Sequence, residues 1–190
     1  MEIDTSLIKL PEVRRDGPMS VEQALFSRRS FREFKRESLT LQEITQLLWS
    51  ADGVTDVRNY RTAPSAGALF PLEVYLVAGQ VTGIPPGIYR YGPRRHVLEQ
   101  RVPGDRREDL CQAALGQDAI RRAPAILAFF AIYDRTMKKY GERGMRYVHM
   151  EVGHAAQNIS LQAVALDIGA VVIGAFRDEK VKKIMNCETD

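Results

Sequence analysis

Residues 61–77 read "RTAPSAGALFPLEVYLV". From Leu72 onward the run is rich in β-branched and aromatic residues and predicts a strand. Ahead of it, residues 63–68 are all small or ring-constrained, with Pro64 and Pro71 fixing the backbone. Four readings of so bare a loop are open: a nucleophile's turn around Ser65, an anion cradle, a plain connection, or a surface that a flat ligand approaches closely. Ser65 lacks the G-x-S-x-G elbow, and no Asp–His pair follows in a recognisable context, so the nucleophile is set aside.

Working outward, Ser20 is placed to cap a helix over "VEQALFSRR", with Val21, Ala24 and Leu25 as its apolar stripe. Thr40 and Glu43 form a capping-box pair ahead of "LQEITQLLWSADG", where Leu41, Ile44, Leu47, Leu48 and Ala51 recur at helical spacing and Gly53 stops the helix. Beyond the Leu72 strand, "GIYRYGPRRHVLEQR" predicts a hairpin turning on Gly92-Pro93, and "REDLCQAALGQ" a helix. "APAILAFFAIY" predicts a strand buried on both faces. The longest helical stretch runs over residues 143–166, apolar around much of its circumference, which places it in the core or at a subunit interface. "GAVVIGAF" predicts another strand and "DEKVKKIMN" a last helix, while residues 1–17 form an extended arm. The hairpin interrupts any regular βαβ alternation, so the expected fold is α+β with a mixed sheet, residues 1–190 forming one domain.

A formal charge of +3, carried by scattered Arg and Lys doublets, argues against a nucleic-acid partner, which would concentrate them on one element. Cys111 and Cys187 fit no metal or redox spacing and read as reduced bystanders. No signal-peptide pattern opens the sequence, and the longest apolar run is too short to span a bilayer, so a cytoplasmic protein without a membrane role is expected. His149 and His154, five residues apart, point to different helix faces, so no metal site is assigned; His154 reads as a packed core histidine and His149 as a surface or interface one. Neither a Rossmann G-x-G-x-x-G turn nor a P-loop is present.

"SRRSFREF" brings Arg28, Arg29, Ser30 and Arg32 together at a helix end. Guanidinium forks match phosphate oxygens, and they equally complement the negative end of a helix dipole. The balance tips toward a ligand because the cluster comes with two stretches of bare backbone, residues 63–68 and Gly174-Ala175 of "IGAF". A charged tail and a large planar head suit such a combination, since backbone without bulky side chains can approach ring heteroatoms.

At these residues the sequence resembles the FMN-dependent nitroreductase superfamily, and most closely its SagB-type dehydrogenase and thiazole-oxidase-like branch. "SRRSFREF", "RTAPSAGALFPLEVYLV", "EVGHAAQNISLQAVALDIGA" and "VVIGAF" carry the match in order, and "GIYRYGPRRHVLEQ" resembles the hairpin of that branch. The resemblance implies a mixed sheet flanked by helices and a homodimer joined through long central helices, with FMN at the subunit interface. It places Arg28, Arg29, Ser30 and Arg32 at the FMN phosphate and ribityl chain. Pro64, Ser65, Ala66 and Gly67 would come from the neighbouring subunit against the isoalloxazine, Ser65 hydrogen-bonding it, and Gly174 and Ala175 would face its N5 edge. It further implies hydride from NAD(P)H and ping-pong transfer to nitro, quinone or similar acceptors. A flavin-binding sensor or complex subunit without NAD(P)H turnover, and an azoline-ring dehydrogenase acting in peptide modification, are the alternatives. The cofactor carries the chemistry, so no catalytic residue is assigned; "GVTDVRNY" and "TMKKYGERGMRY" are the loops expected to shape substrate choice.

Two departures from the branch stand out. Asp167 occupies a position where the branch usually has glycine, and the family commonly continues past the last helix with a segment that packs on the partner and adds a basic contact to the phosphate, whereas this sequence reaches Asp190.

Overall fold

The computed structural model describes residues 7–187; residues 1–6 of the expected N-terminal arm, and residues 188–190, lie outside the described residues. In chain order the elements are β1 (Leu7–Lys9), α1 (Val21–Ser27), β2 (Leu39–Thr40), α2 (Leu41–Asp52), a short 3-10 turn (Ala66–Ala68), β3 (Leu72–Ala78), β4 (Val81–Thr82), β5 (Gly87–Gly92), β6 (Val97–Pro103), α3 (Arg107–Ala113), α4 (Asp118–Arg122), β7 (Ala125–Ala131), α5 (Tyr133–Tyr140), α6 (Arg143–Ala165) and α7 (Asp178–Met185). The architecture is α+β, as expected. Pairing is mixed: the five strands ordered β1-β6-β5-β3-β7 run antiparallel, while β2 and β4 form a short parallel pair.

β3 organises the core, because its alternation serves two helical layers. Val74, Leu76 and Ala78 pack with Ile44, Leu48 and Ala51 of α2 on one face, where Ile159 of α6 also sits. Tyr75 and Val77 pack on the other face with Leu110 and Cys111 of α3, Ile120 of α4 and Met185 of α7. Leu48, Leu76 and Ile88 are completely buried, and each such side chain contributes about 1.5–3 kcal/mol. Both helix starts follow the sequence: Ser20 with Gln23, and Thr40 with Glu43, form reciprocal capping boxes, each cap contributing about 1 kcal/mol. Gly53 caps the end of α2.

Several expectations change. "GAVVIGAF" is not a strand; its only ladder-type contact among the described residues is a single parallel bridge from Ala170 to Ser30. No neighbouring strand offers it a partner, so β-branched composition alone cannot make it one. The α1 stripe is open, with Ala24 buried but Val21 and Leu25 exposed. β7 is half-buried along its whole length because it lies at the sheet edge. His154 is exposed rather than packed in the core, since α6 turns Val148, Glu151, Ala155 and Ala163 inward and leaves Met150 and His154 outward. The arm also does more than extend: β1 adds to the sheet against β6. α4 is an additional short helix that the sequence pattern did not separate from α3.

Candidate functional site

The residues expected to line a ligand fall into two groups, one beyond the C-terminal end of α6 and one against its middle. In the first, α1 ends at Ser27 and the chain turns so that the Phe31 amide donates to the Ala170 carbonyl at 2.9 Å. That bond sets Arg28, Ser30 and Arg32 beside residues 169–176. The Gln117 side-chain amide donates to the Ala175 carbonyl at 2.8 Å, and the Arg177 amide to the Ala113 carbonyl at 3.0 Å, pinning the far end of the same segment. Gly174 faces open space, with no atom within 4 Å of where a Cβ would stand. Arg28 and Arg32 have no carboxylate within ion-pair distance among the described residues. Arg29 differs: its guanidinium donates to the carbonyls of Phe26 and Arg28 at 2.9 and 2.7 Å, closing the end of α1. Of the two readings of the basic run, dipole complement and anion clamp, Arg29 satisfies the first, and Arg28 and Arg32 are left free for the second.

Asp167 supports this arrangement from the end of α6. Its φ of +58° is left-handed, a conformation that glycine adopts without cost and that Asp tolerates better than most residues. The glycine usual in the branch therefore answers a backbone requirement that is still present here.

The second group is the loop of residues 61–71. Gly67, Ala68 and Phe70 all have positive φ, at 65°, 54° and 47°. For Ala and Phe this is strained by about 1–2 kcal/mol each, and such strain persists only where surroundings over-determine it. They do. The Ser65 hydroxyl accepts from the Phe70 amide at 2.9 Å and stands beside the Glu151 carboxyl, whose raised pKa it pulls back down. Arg135 donates to the Phe70 carbonyl at 3.0 Å, and the Arg61 guanidinium lies 4.5 Å over the Phe70 ring. Beneath the loop, Arg61 pairs with buried Asp52, and Arg135 pairs with Glu73 at 2.6 Å. Burial pushes the Asp52 carboxyl up to about 6 against the pull of Arg61. Burial likewise pushes Glu151 up to about 7, opposed by the Ser65 hydrogen bond. Pro64 and Gly67 are exposed and Ala66 half-buried, so the loop offers a nearly side-chain-free surface on a rigid base.

Beside that surface stand two polar groups. A methyl group at Gly67 would lie 2.8 Å from the Tyr140 hydroxyl and 3.0 Å from Lys139 Nζ. Both belong to the end of α5, within the stretch expected to shape substrate choice.

Glu151 fixes the loop near the middle of α6, whereas Ala170 follows its C-terminal end. Along a helix rising 1.5 Å per residue, Glu151 and Ala165 are about 20 Å apart. A single chain thus gathers Arg28, Ser30, Arg32, Gly174 and Ala175 past the C-terminal end of α6, and Pro64, Ser65, Ala66 and Gly67 against its middle.

Asp52, Arg61 and Glu151 were given no role from sequence. Glu151 had a signal: it lies three residues after Val148 and four before Ala155, a charged residue on the buried stripe of a helix. Its partner Ser65 is 86 positions away, and nothing in local pattern links them.

The first group fits a phosphate-bearing planar cofactor in donor chemistry, with free guanidinium groups next to bare backbone facing open space. No helix among the described residues is long and apolar enough to cross a membrane.

Comparison with known proteins identifies the family. A candidate nitroreductase of Methanocaldococcus jannaschii is 44% identical over 182 residues, covering 96% of this chain and 90% of that protein. The microcin B17-processing protein McbC of Escherichia coli is 29% identical over 160 residues; the match covers 80% of this chain but 58% of McbC. The crystal structure of a candidate nitroreductase from Ralstonia eutropha superposes with a TM-score of 0.84 at 32% identity, covering 99% of this chain and 86% of that one. The family model described as "Nitroreductase family" matches residues 25–190. With the four sequence motifs, the fold and the family match in agreement, the chain belongs to the nitroreductase family of oxidoreductases.

Proposed function

We propose that the protein is an FMN-dependent oxidoreductase working as a homodimer. Each FMN lies between Arg28, Arg29, Ser30, Arg32, Gly174 and Ala175 of one protomer and Pro64, Ser65, Ala66 and Gly67 of its partner. The observation that carries this reading is the separation of the two groups along α6, which a second copy resolves. The exposed apolar side chains of Val21, Leu25, Phe26 and Met150, on α1 and α6, supply a surface for that copy.

When bound, FMN accepts a hydride equivalent and passes electrons to a second substrate. The chain's own residues bind and orient. Arg28 and Arg32 offset phosphate charge, Gly174 and Ala175 give the ring unobstructed backbone, and the partner loop covers its face. Ser65 serves that loop from below: its hydroxyl already accepts from the Phe70 amide and stands beside Glu151. It therefore helps to position the surface, and its remaining hydrogen-bonding capacity is proposed for the flavin, as the resemblance implies.

NAD(P)H is the proposed donor, with nitro compounds, quinones or similar molecules as acceptors. The test is the visible spectrum of the purified protein and its bleaching by NADPH or NADH. A flavin spectrum that bleaches and recovers on adding a quinone is expected. A colourless protein that takes up no FMN overturns the reading, and a yellow protein that NAD(P)H does not bleach points to the sensor or complex-subunit role.

One observation favours a second reading, oxidation of azoline rings in peptides. Aromatising such a ring removes a proton as well as a hydride, and Lys139 Nζ and the Tyr140 hydroxyl stand together at Gly67, where a proton could be transferred. Conversion of an azoline-containing peptide by the flavin-loaded protein without NAD(P)H, measured as a loss of two mass units, is the discriminating result.

A further inference from the structure

Where α5 meets the start of α6, an open cleft is lined by Lys139, Arg143, Arg146, Tyr140, Tyr147 and His149, and it reaches Met150 at the edge of the face proposed for the second copy. Lys139, Arg143 and Arg146 are exposed, and none has a carboxylate within ion-pair distance among the described residues. One acid, Glu142, also lines the cleft, leaving a clear positive excess. Tyr140 and Tyr147 meet edge to face with ring centroids 5.1 Å apart, so one wall is aromatic. His149 bonds the Tyr133 hydroxyl at 2.9 Å, which turns its ring toward α5.

The composition of this concavity is selective. Three cations within one cleft repel one another unless an anion is shared among them, and two of the three are arginines, whose forks match phosphate oxygens. The two arginines stand in the first turns of a 23-residue helix, where the dipole adds to the same sign of potential, whereas Lys139 closes the last turn of α5. An aromatic wall next to a phosphate site suits a nucleoside phosphate better than a bare carboxylate. Lys139 and Tyr140 also flank Gly67. The cleft therefore begins at the loop read above as the cover of the flavin.

We propose that this cleft is a phosphate subsite for the reducing substrate, formed by Lys139, Arg143 and Arg146. It gives the protein a preference for phosphorylated dihydronicotinamide donors over neutral ones. The proposal rests on the flavin reading for the position of the ring and on the cleft's own charges for the ligand class.

Calorimetric titration of the FMN-loaded protein with inorganic pyrophosphate tests it, beside the double variant Arg143→Gln/Arg146→Gln. The expected result is binding that weakens about tenfold or more in the double variant, as loss of charge-assisted hydrogen bonds requires. An Arg143→Lys/Arg146→Lys variant, which keeps charge but loses the forks, should fall between. In steady state, the ratio of kcat/KM for NADPH to that for the neutral donor 1-benzyl-1,4-dihydronicotinamide should fall by about the same factor. Absence of pyrophosphate binding overturns the subsite. So does binding that persists in the double variant and disappears in Arg28→Gln, because the anion would then be at the other cluster. Absence of binding leaves the flavin reading standing, whereas binding lost only in Arg28→Gln counts against that reading as well, since FMN phosphate should already occupy that cluster. A protein that takes up no FMN sinks that reading, and pyrophosphate titration of the protein as purified then decides the subsite alone.

Discussion

Residues 61–71 are fixed along most of their length, whereas residues 28–32 are tied mainly through one backbone bond at Phe31. The loop rests on Asp52–Arg61 and Glu73–Arg135 pairs, on the Ser65–Glu151 contact, and on Arg61 over Phe70. The basic segment leaves Arg28 and Arg32 with no protein partner among the described residues and spends Arg29 on its own helix end. The loop presents a shape decided before any ligand arrives, while the segment presents charge that a ligand can organise. A rigid aromatic ring gains from the first arrangement, because no ordering of the loop remains to be done on binding. A phosphate, which tolerates several guanidinium geometries, gains from the second.

Breaking the loop's foundation should have the largest effect. Arg61→Ala leaves Asp52 buried without its partner, and urea denaturation should show a loss of about 3–5 kcal/mol; adding Asp52→Asn should recover part of it. An unchanged midpoint for Arg61→Ala would mean that the loop does not depend on this pair. On the other side of the comparison, Arg28→Ala should leave stability unchanged and weaken FMN binding by about 1.5–3 kcal/mol, read by fluorescence titration. A loss of stability in place of affinity would show that the two regions do not differ as described.

The buried acids sharpen the contrast through pH. A carboxyl whose folded-state value is raised keeps a proton that the unfolded chain has already released. Its contribution is therefore fully present at acid pH and is lost as pH rises through the folded value. With Asp52 at about 6 and Glu151 at about 7, stability should decline from about pH 4 to pH 7. For Glu151 the decline amounts to about 1–2 kcal/mol once solvent screening is allowed for. Glu151→Gln should flatten the upper part of that profile in thermal melts taken across the range. The smallest effect belongs to Gly67→Ala, where a left-handed alanine costs about 1 kcal/mol, a fall of about 2–4 °C in Tm for a chain of this size. A larger fall would show that the Tyr140 hydroxyl and Lys139 cannot move aside.

Much of the frame was legible because its signals are local. Ser20 and Thr40 announce their helices through capping residues three positions away, and Gly92-Pro93 lies where the hairpin turns. Failures came where a residue's environment is set from far along the chain. "GAVVIGAF" has strand composition, but a strand also requires a neighbour, and among the described residues the fold provides only Ser30. His154 was assigned to the core from surrounding alanines, yet the face it occupies depends on which side of α6 meets the sheet. At the site, the bare loop and the Arg cluster were both visible as chemistry. What sequence could not reveal was that Ser65 is already engaged from below, since Glu151 becomes its neighbour only after α6 packs.

The bond between Phe31 and Ala170 has a consequence for how a ligand could enter and leave. It joins two segments 139 positions apart through one backbone contact of 2.9 Å, where a ladder would have used several. Parting the segments forfeits that bond, about 0.5–1.5 kcal/mol, together with the contact of the Phe31 side chain on Gly169, still less than global unfolding. A local opening at this contact would widen the gap between the arginines and residues 169–176 while leaving the β-sheet closed. The Phe31 amide then reports on that motion, exchanging with solvent faster than the amides of β3 and slowing when a ligand bridges the two sides.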